Sequence, residues 1–280
     1  MTISNKLKGC LVGLVVGDDN GGPSAMMMKV LEYITYNKPW DMRDVGRQYL
    51  EWFKEDGFDA GLVTHKVLEL VDSGLSFDAA AKQVDTELDG MTAGVSPAHR
   101  SIPLILHYVA WYLRSPNFFE ESPNTGFRDF ESTIKREARL THLHKEAGEV
   151  SVAVNAICLY LILGRDIFDS TMFGLKFVDE DLRVNIENNI SARNSDRLKS
   201  SGYAPDALTA ALWFLFHTDT LKDALEQSKA FAGAANYCPV LVGSIGGAMY
   251  GYKSIKSNLD KHTMERVSTI PITVDCALTI

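Results

Sequence analysis

Two runs of glycine at four-residue spacing, Gly9-Gly13-Gly17 and Gly243-Gly247-Gly251, constrain this chain more than any other feature. Each lies in an apolar segment with helical character. A glycine inside a helix costs about 1 kcal/mol relative to alanine, so three along one ridge need a compensating gain. The gain available is close approach of a second backbone. In a membrane such spacing reads as a dimer motif, but these segments are too short and too polar at their ends. The spacing therefore predicts two tightly packed core helices.

Helical periodicity dominates the rest. From Pro205 to His217, Ala207, Leu208, Ala211, Leu212, Leu215 and Phe216 form one apolar stripe. Similar patterns predict helices over 23–36, 41–54, 59–71, 77–88, 103–113, 146–163, 221–231 and 239–250, with loops at 114–128 and 189–203. Strand-type alternation is scarce, and no composition shift marks a boundary. The expectation is an all-α fold with one domain over residues 1–280.

The net charge of −8 argues against a polyanionic partner such as nucleic acid, and no apolar run reaches the ~20 residues of a membrane span. Cys10, Cys158, Cys238 and Cys276 form no CxxC pair, so buried free thiols in a reducing compartment are expected. The N-terminal apolar stretch runs at once into Asp18-Asp19 and shows no cleavage site, which predicts a cytoplasmic protein. Met26-Met27-Met28 reads as core filler.

Four segments share the form polar or Gly-rich turn, proline, helix: Gly17–Pro23, Thr92–Arg100, Ser201–Asp206 and Ala234–Pro239. Helix N-termini offer unpaired N–H groups and partial positive charge, so several such loops converging would make an anion site. Within them, His99 is a candidate base and Arg100 a candidate phosphate partner. Ser96, Asn236 and Tyr237 add polar groups, and His142 and His144 two further imidazoles, His144 pointing elsewhere.

The order of these segments resembles the ADP-ribosylglycohydrolase (dinitrogenase-reductase-activating glycohydrolase) superfamily. Lys8-Gly9 through Pro23 is similar to its GxxxGDxxGxP opening, and Ala138-Arg139-Leu140-Thr141-His142 to its LTH segment. Tyr203–Trp213 resembles its Y-x-x-D-x-L-x-A-A-L-W helix, and Phe231–Gly251 its closing GGDADTxGAIAGAIAGAxYG. The likeness spans roughly residues 6 to 255.

The resemblance implies an orthogonal helical domain that cleaves a ribosyl, ADP-ribosyl or related nucleotide-sugar glycosidic bond, on a small molecule or an ADP-ribosylated protein. It also implies two Mg²⁺ or Mn²⁺ ions held by the opening Asp, a Thr-Asp-Asp motif and an Asp-x-Asp-Thr motif. Here the opening Asp is Asp18. The second motif reads Gly57-Phe58-Asp59-Ala60-Gly61, and the third, Ala234-Ala235-Asn236-Tyr237, has no carboxylate. The implied site is metal-poor, with at most one Mg²⁺ on Asp18 and Asp59. Asp18 and Asp59, at the family's ligand positions, and His99, by its own chemistry, are the candidate catalytic residues, and Asp19, Asn20, Ser96, Arg100, His142, Asn236 and Tyr237 the candidate substrate contacts. An inactive nucleotide-binding or crystallin-like homologue is the alternative, with a lyase or isomerase on a phosphorylated sugar or nucleoside a third reading.

Overall fold

The computed structural model describes residues 1–36, 39–115, 123–257 and 259–278. Among these, helices follow one another with no strand; the one β-type contact is an isolated bridge between Gly94 and Tyr203. Many helix starts are set by a side chain that takes over an orphan N–H. Thr2 accepts from Asn5 N–H, Asp41 from Arg43, Ser76 from Ala79, Asp166 from Asp169 and Thr220 from Asp223. Helices at Ile167–Gly174, Glu180–Ile190, Lys261–Val267 and Ile270–Leu278 add to those read from the sequence. The helix expected to start at residue 59 starts at Leu62, because Asp59 and Gly61 both take positive φ, 51° and 76°. Part of the expected 114–128 loop lies outside the described residues, and a helix already begins at Pro123.

At the centre, helix Ile3–Gly17 packs on Tyr237–Tyr250, which in turn meets Ala204–Phe216 and Lys145–Ile162. The glycine ridges face each other. A Cβ on Gly9 would lie 2.3 Å from the Gly247 carbonyl oxygen, one on Gly13 2.0 Å from that of Gly243, and one on Gly17 2.1 Å from that of Pro239. Atoms cannot approach so closely, so only glycine allows the two backbones to touch. The pairing order shows the helices to be antiparallel. That orientation sets the C-terminus of the first helix, at Gly17, beside the N-terminus of the other.

One large hydrophobic core surrounds this pair; a small second cluster of Val63, Val67, Ala80, Ala81 and Val84 joins helices Leu62–Asp72 and Phe77–Glu87. Cys10, Cys158 and Cys238 are buried free thiols, and burial first, then the neighbouring Cys158, hold the Cys10 thiol well above its usual range. The side chain of Cys276 lies outside the described residues. No described helix is long and apolar enough to cross a membrane.

Candidate functional site

The antiparallel glycine pair decides what meets at its end. Asp18, the C-cap residue of helix Ile3–Gly17, is completely buried. Its Oδ1 accepts from the N–H of Gly21 and its Oδ2 from that of Ser24, both at 2.8 Å, so it caps helix Gly22–Tyr36. Its third donor comes from across the pair: Asn236 Nδ2 lies 2.8 Å from Asp18 Oδ1, and Asn236 Oδ1 accepts from the Asp19 N–H at 3.3 Å. Asn236 sits in the left-handed region, at φ 53°, which asparagine tolerates better than most residues.

The other two proline loops join the same place. Val95 N–H donates to Gly202 O at 3.0 Å and Ala204 N–H to Ala93 O at 2.8 Å, tying the second loop to the third. His99 Nε2 lies 3.0 Å from the Tyr237 carbonyl oxygen, tying the second to the fourth. All four loops thus converge on a cavity of about 210 Å³, lined by Asp59, Ser96, His99, His142, Asn236 and Tyr237 among others.

Protonation states follow from these contacts. A carbonyl accepts only, so His99 Nε2 carries the hydrogen and Nδ1 is bare. Burial pushes the His99 imidazole down to about 4, against some upward pull from Asp18 and the Tyr237 carbonyl. Burial, and then the charge of Arg100, also hold His142 well below the usual histidine range. Asp59 moves the other way: burial and then the negative charge of Asp18 raise its carboxyl, against donors from Asn20 and the Gly22 N–H.

A buried histidine held neutral links stability to pH. An unfolded His99 would titrate near 6.5, so its contribution is complete above about pH 6.5 and drains away as pH falls toward 4. By pH 4.5 this loss is about 2–3 kcal/mol, with His142 adding in the same direction. Denaturant titrations at pH 7.5 and 4.5 should show a smaller drop in His99→Gln than in the wild-type chain; equal drops would contradict the buried neutral state.

Arg100 departs from its expected phosphate-pairing role. Its guanidinium is fully buried and does not line the cavity. Nε donates to Glu137 Oε1 at 2.7 Å, Nη2 to Thr141 Oγ1 at 2.8 Å and Nη1 to Thr64 Oγ1 at 3.4 Å, while the ring of Tyr49 lies 4.6 Å away. Thr141 Oγ1 in turn lies 2.7 Å from His142 Nδ1. Arg100 can only donate, so among the described residues His142 Nδ1 is the one acceptor within reach of the Thr141 hydroxyl hydrogen; filling it places the His142 proton on Nε2. That Nε2 faces Gly94, where an added Cβ would come within 2.8 Å. Through Thr64, whose hydroxyl donates to Ser96 Oγ at 3.2 Å, Arg100 also supports a second cavity-lining group.

Two further residues stand apart from the cavity. Asp19 Oδ1 pairs with Lys229 Nζ at 2.6 Å, and Asn20 Nδ2 donates to Ala234 O at 3.4 Å. Both line a neighbouring cleft with Arg266, which donates to the Asp18 carbonyl oxygen at 3.4 Å and to Ser24 Oγ at 3.1 Å. His144 caps its own helix by accepting from the Glu146 N–H. Thr64, Glu137, Tyr49 and Arg266 were not singled out by the sequence. Glu137 carries a signal only in hindsight, an acid one residue from the apolar Ala138 in an otherwise amphipathic helix.

The ADP-ribosylglycohydrolase family model matches residues 24–273. The chain belongs to the ADP-ribosylglycohydrolase family. Over 80 residues it is 38% identical to the ADP-ribosylarginine hydrolase Tri1 of Serratia proteamaculans (strain 568), covering 28% of this chain and 22% of that protein. Over 159 residues it is 28% identical to the ADP-ribosyl-[dinitrogen reductase] glycohydrolase of Rhodospirillum rubrum, covering 54% and 50%. The chain thus spans half or less of the curated relatives it matches. A solved structure described as an ADP-ribosylglycohydrolase-related protein complex superposes with a TM-score of 0.73 at 19% identity, over 99% of this chain and 98% of the other. That likeness concerns the fold.

Proposed function

We propose that this chain, acting as one domain, hydrolyses the bond between the anomeric carbon of ADP-ribose and an arginine side chain. One observation carries the reading. Two helices, Leu62–Asp72 and Tyr237–Tyr250, begin on the cavity wall with no side-chain cap, beside Asp59 and the Nε2–H of His142. Open helix N-termini suit the diphosphate, and the histidine donor suits a ribose or phosphate oxygen. Asp59 takes a proton from water as the water oxygen bonds to the anomeric carbon and the carbon–nitrogen bond breaks. Asp59 is the one carboxylate on the cavity wall, and burial together with the charge of Asp18 raises its carboxyl, which favours its taking a proton. A guanidinium already carries its proton, so it leaves as neutral guanidine without a general acid. That agrees with a cavity wall bearing one carboxylate where glycoside hydrolysis usually needs two.

The residues present do not suit the family's divalent ions. Both oxygens of Asp18 already accept N–H groups, and the Asn236 amide points a donor at Asp18, where a ligand would offer an oxygen. No group of three or more His, Cys, Asp or Glu is gathered for a metal among the described residues. Mg²⁺ and Mn²⁺ should therefore titrate with no tight site, and hydrolysis of ADP-ribosylarginine should persist in excess EDTA. Loss of turnover in EDTA, restored by Mg²⁺, would overturn this. The Asp18–Asn236 clamp also favours a second reading, a binding protein without turnover, which the same assay separates by ADP-ribose binding with no product released.

A further inference from the structure

A second feature lies outside the cavity. In a chain of net charge −8, the guanidinium-bearing residues Arg43, Arg47, Arg136 and Arg139 line one cleft of about 600 Å³. Arg43 and Arg47 sit one turn apart on helix Met42–Glu55, and Arg136 lies on helix Pro123–Ala138 with Arg139 just beyond its end. All four are exposed. Arg47 pairs with Asp44, whereas Arg43, Arg136 and Arg139 have no carboxylate within 4.0 Å among the described residues. Asp78 is the one acid on the cleft wall, and the floor is apolar, with Val71, Leu75, Phe77 and Leu140.

The cleft is linked to the cavity by short stretches of chain. Helix Leu62–Asp72 lines the cavity with its first residues and the cleft with Val71, nine residues on, roughly 14 Å along its axis. Leu140 lines the cleft and His142 the cavity. At about 210 Å³ the cavity is smaller than the ~300–1,000 Å³ of ligand clefts in general, so the remainder of a protein-borne substrate must lie outside it.

We propose that this cleft docks an acidic segment of the protein that carries the ADP-ribosyl group, a partner class that rests on the function proposed above. Carboxylates of the segment pair with the arginines, for which bidentate contact is available. An apolar side chain between them covers Phe77 and Leu75. A phosphate polyanion would use the arginines and leave that floor exposed to water, so the peptide uses more of the surface.

The test is fluorescence anisotropy of a labelled, unmodified peptide, Glu-Leu-Glu-Glu-Phe-Glu, with the full chain at low salt. Arg43→Glu combined with Arg139→Glu should weaken binding tenfold or more, with an unchanged melting curve because both positions are exposed. Replacing the glutamates by glutamine, or Leu and Phe by alanine, should weaken it comparably, and added salt should do so progressively. No binding, or equal binding by the double variant, overturns the proposal. So does displacement by inorganic polyphosphate together with indifference to the apolar replacements, which would assign the cleft to phosphate. ADP-ribose titration is run in parallel. If the peptide binds and ADP-ribose does not, the cavity reading fails and the cleft stands; the double variant should bind ADP-ribose like the wild-type chain.

Discussion

Alanine at position 247 is expected to lower the melting midpoint by about 6–12 °C or prevent folding, although alanine is intrinsically the better helix former. The added Cβ would sit 2.0 Å from the carbonyl oxygen of Gly9. Overpacking usually costs about 1–3 kcal/mol because side chains can rotate aside. Here the obstructing atom is backbone, so the two central helices must separate, and a cost at or above about 3 kcal/mol follows. Gly148→Ala is the control: it also lies within a helix, but its Cβ would meet only Lys135 Cγ at 3.5 Å and Ala138 Cβ at 4.0 Å. That variant should be neutral or stabilised by up to about 1 kcal/mol. Calorimetric midpoints that shift alike for the two variants would contradict the backbone-to-backbone contact.

The second large effect is expected from Arg100→Ala, at about 3–5 kcal/mol of stability. The substitution leaves the Glu137 carboxylate, also fully buried, without its cation. The charge itself is the problem, so Arg100→Met with Glu137→Leu should recover most of the loss, as apolar replacement of buried ion pairs often does. Denaturant midpoints of the single and double variants decide this. If the double variant is as unstable as the single one, the pair matters for its geometry rather than its charge.

The fold was legible because its strictest requirement is written in glycine. A four-residue glycine ridge has one economical explanation, and both ridges lie where that explanation places them. Long apolar stripes such as Ala207–Phe216 were equally clear. Helices such as Ile167–Gly174 and Lys261–Val267 were not, because short helices held by tertiary contacts carry weak periodicity. The start of helix Leu62–Asp72 was misplaced, since a positive φ at an aspartate leaves no mark in the sequence.

The site was legible in its parts rather than in their wiring. The four proline loops could be listed, and the antiparallel order of the glycine ridges is what brings the first and fourth together. Arg100 beside His99 suggested a phosphate partner; its actual partner, Glu137, is 37 residues away, and only the fold turns the guanidinium inward. The same holds for Asp19, drawn off by Lys229, and for His142, whose tautomer depends on a threonine hydroxyl held by that buried arginine. Asn236 was visible as the residue standing where the family pattern has a carboxylate. That its amide donates to Asp18 follows only from the fold, which brings the two together across the glycine pair.

The most direct test of a cavity that holds ADP-ribose through helix N-termini and His142, without metal, is isothermal titration of the full chain with ADP-ribose in excess EDTA. Saturable one-site binding is predicted, weakened about tenfold or more in His142→Ala, since a lost donor to a charged oxygen is worth about 1.5–3 kcal/mol. Heat of binding that appears only when Mg²⁺ or Mn²⁺ is supplied, or none under either condition, would contradict it.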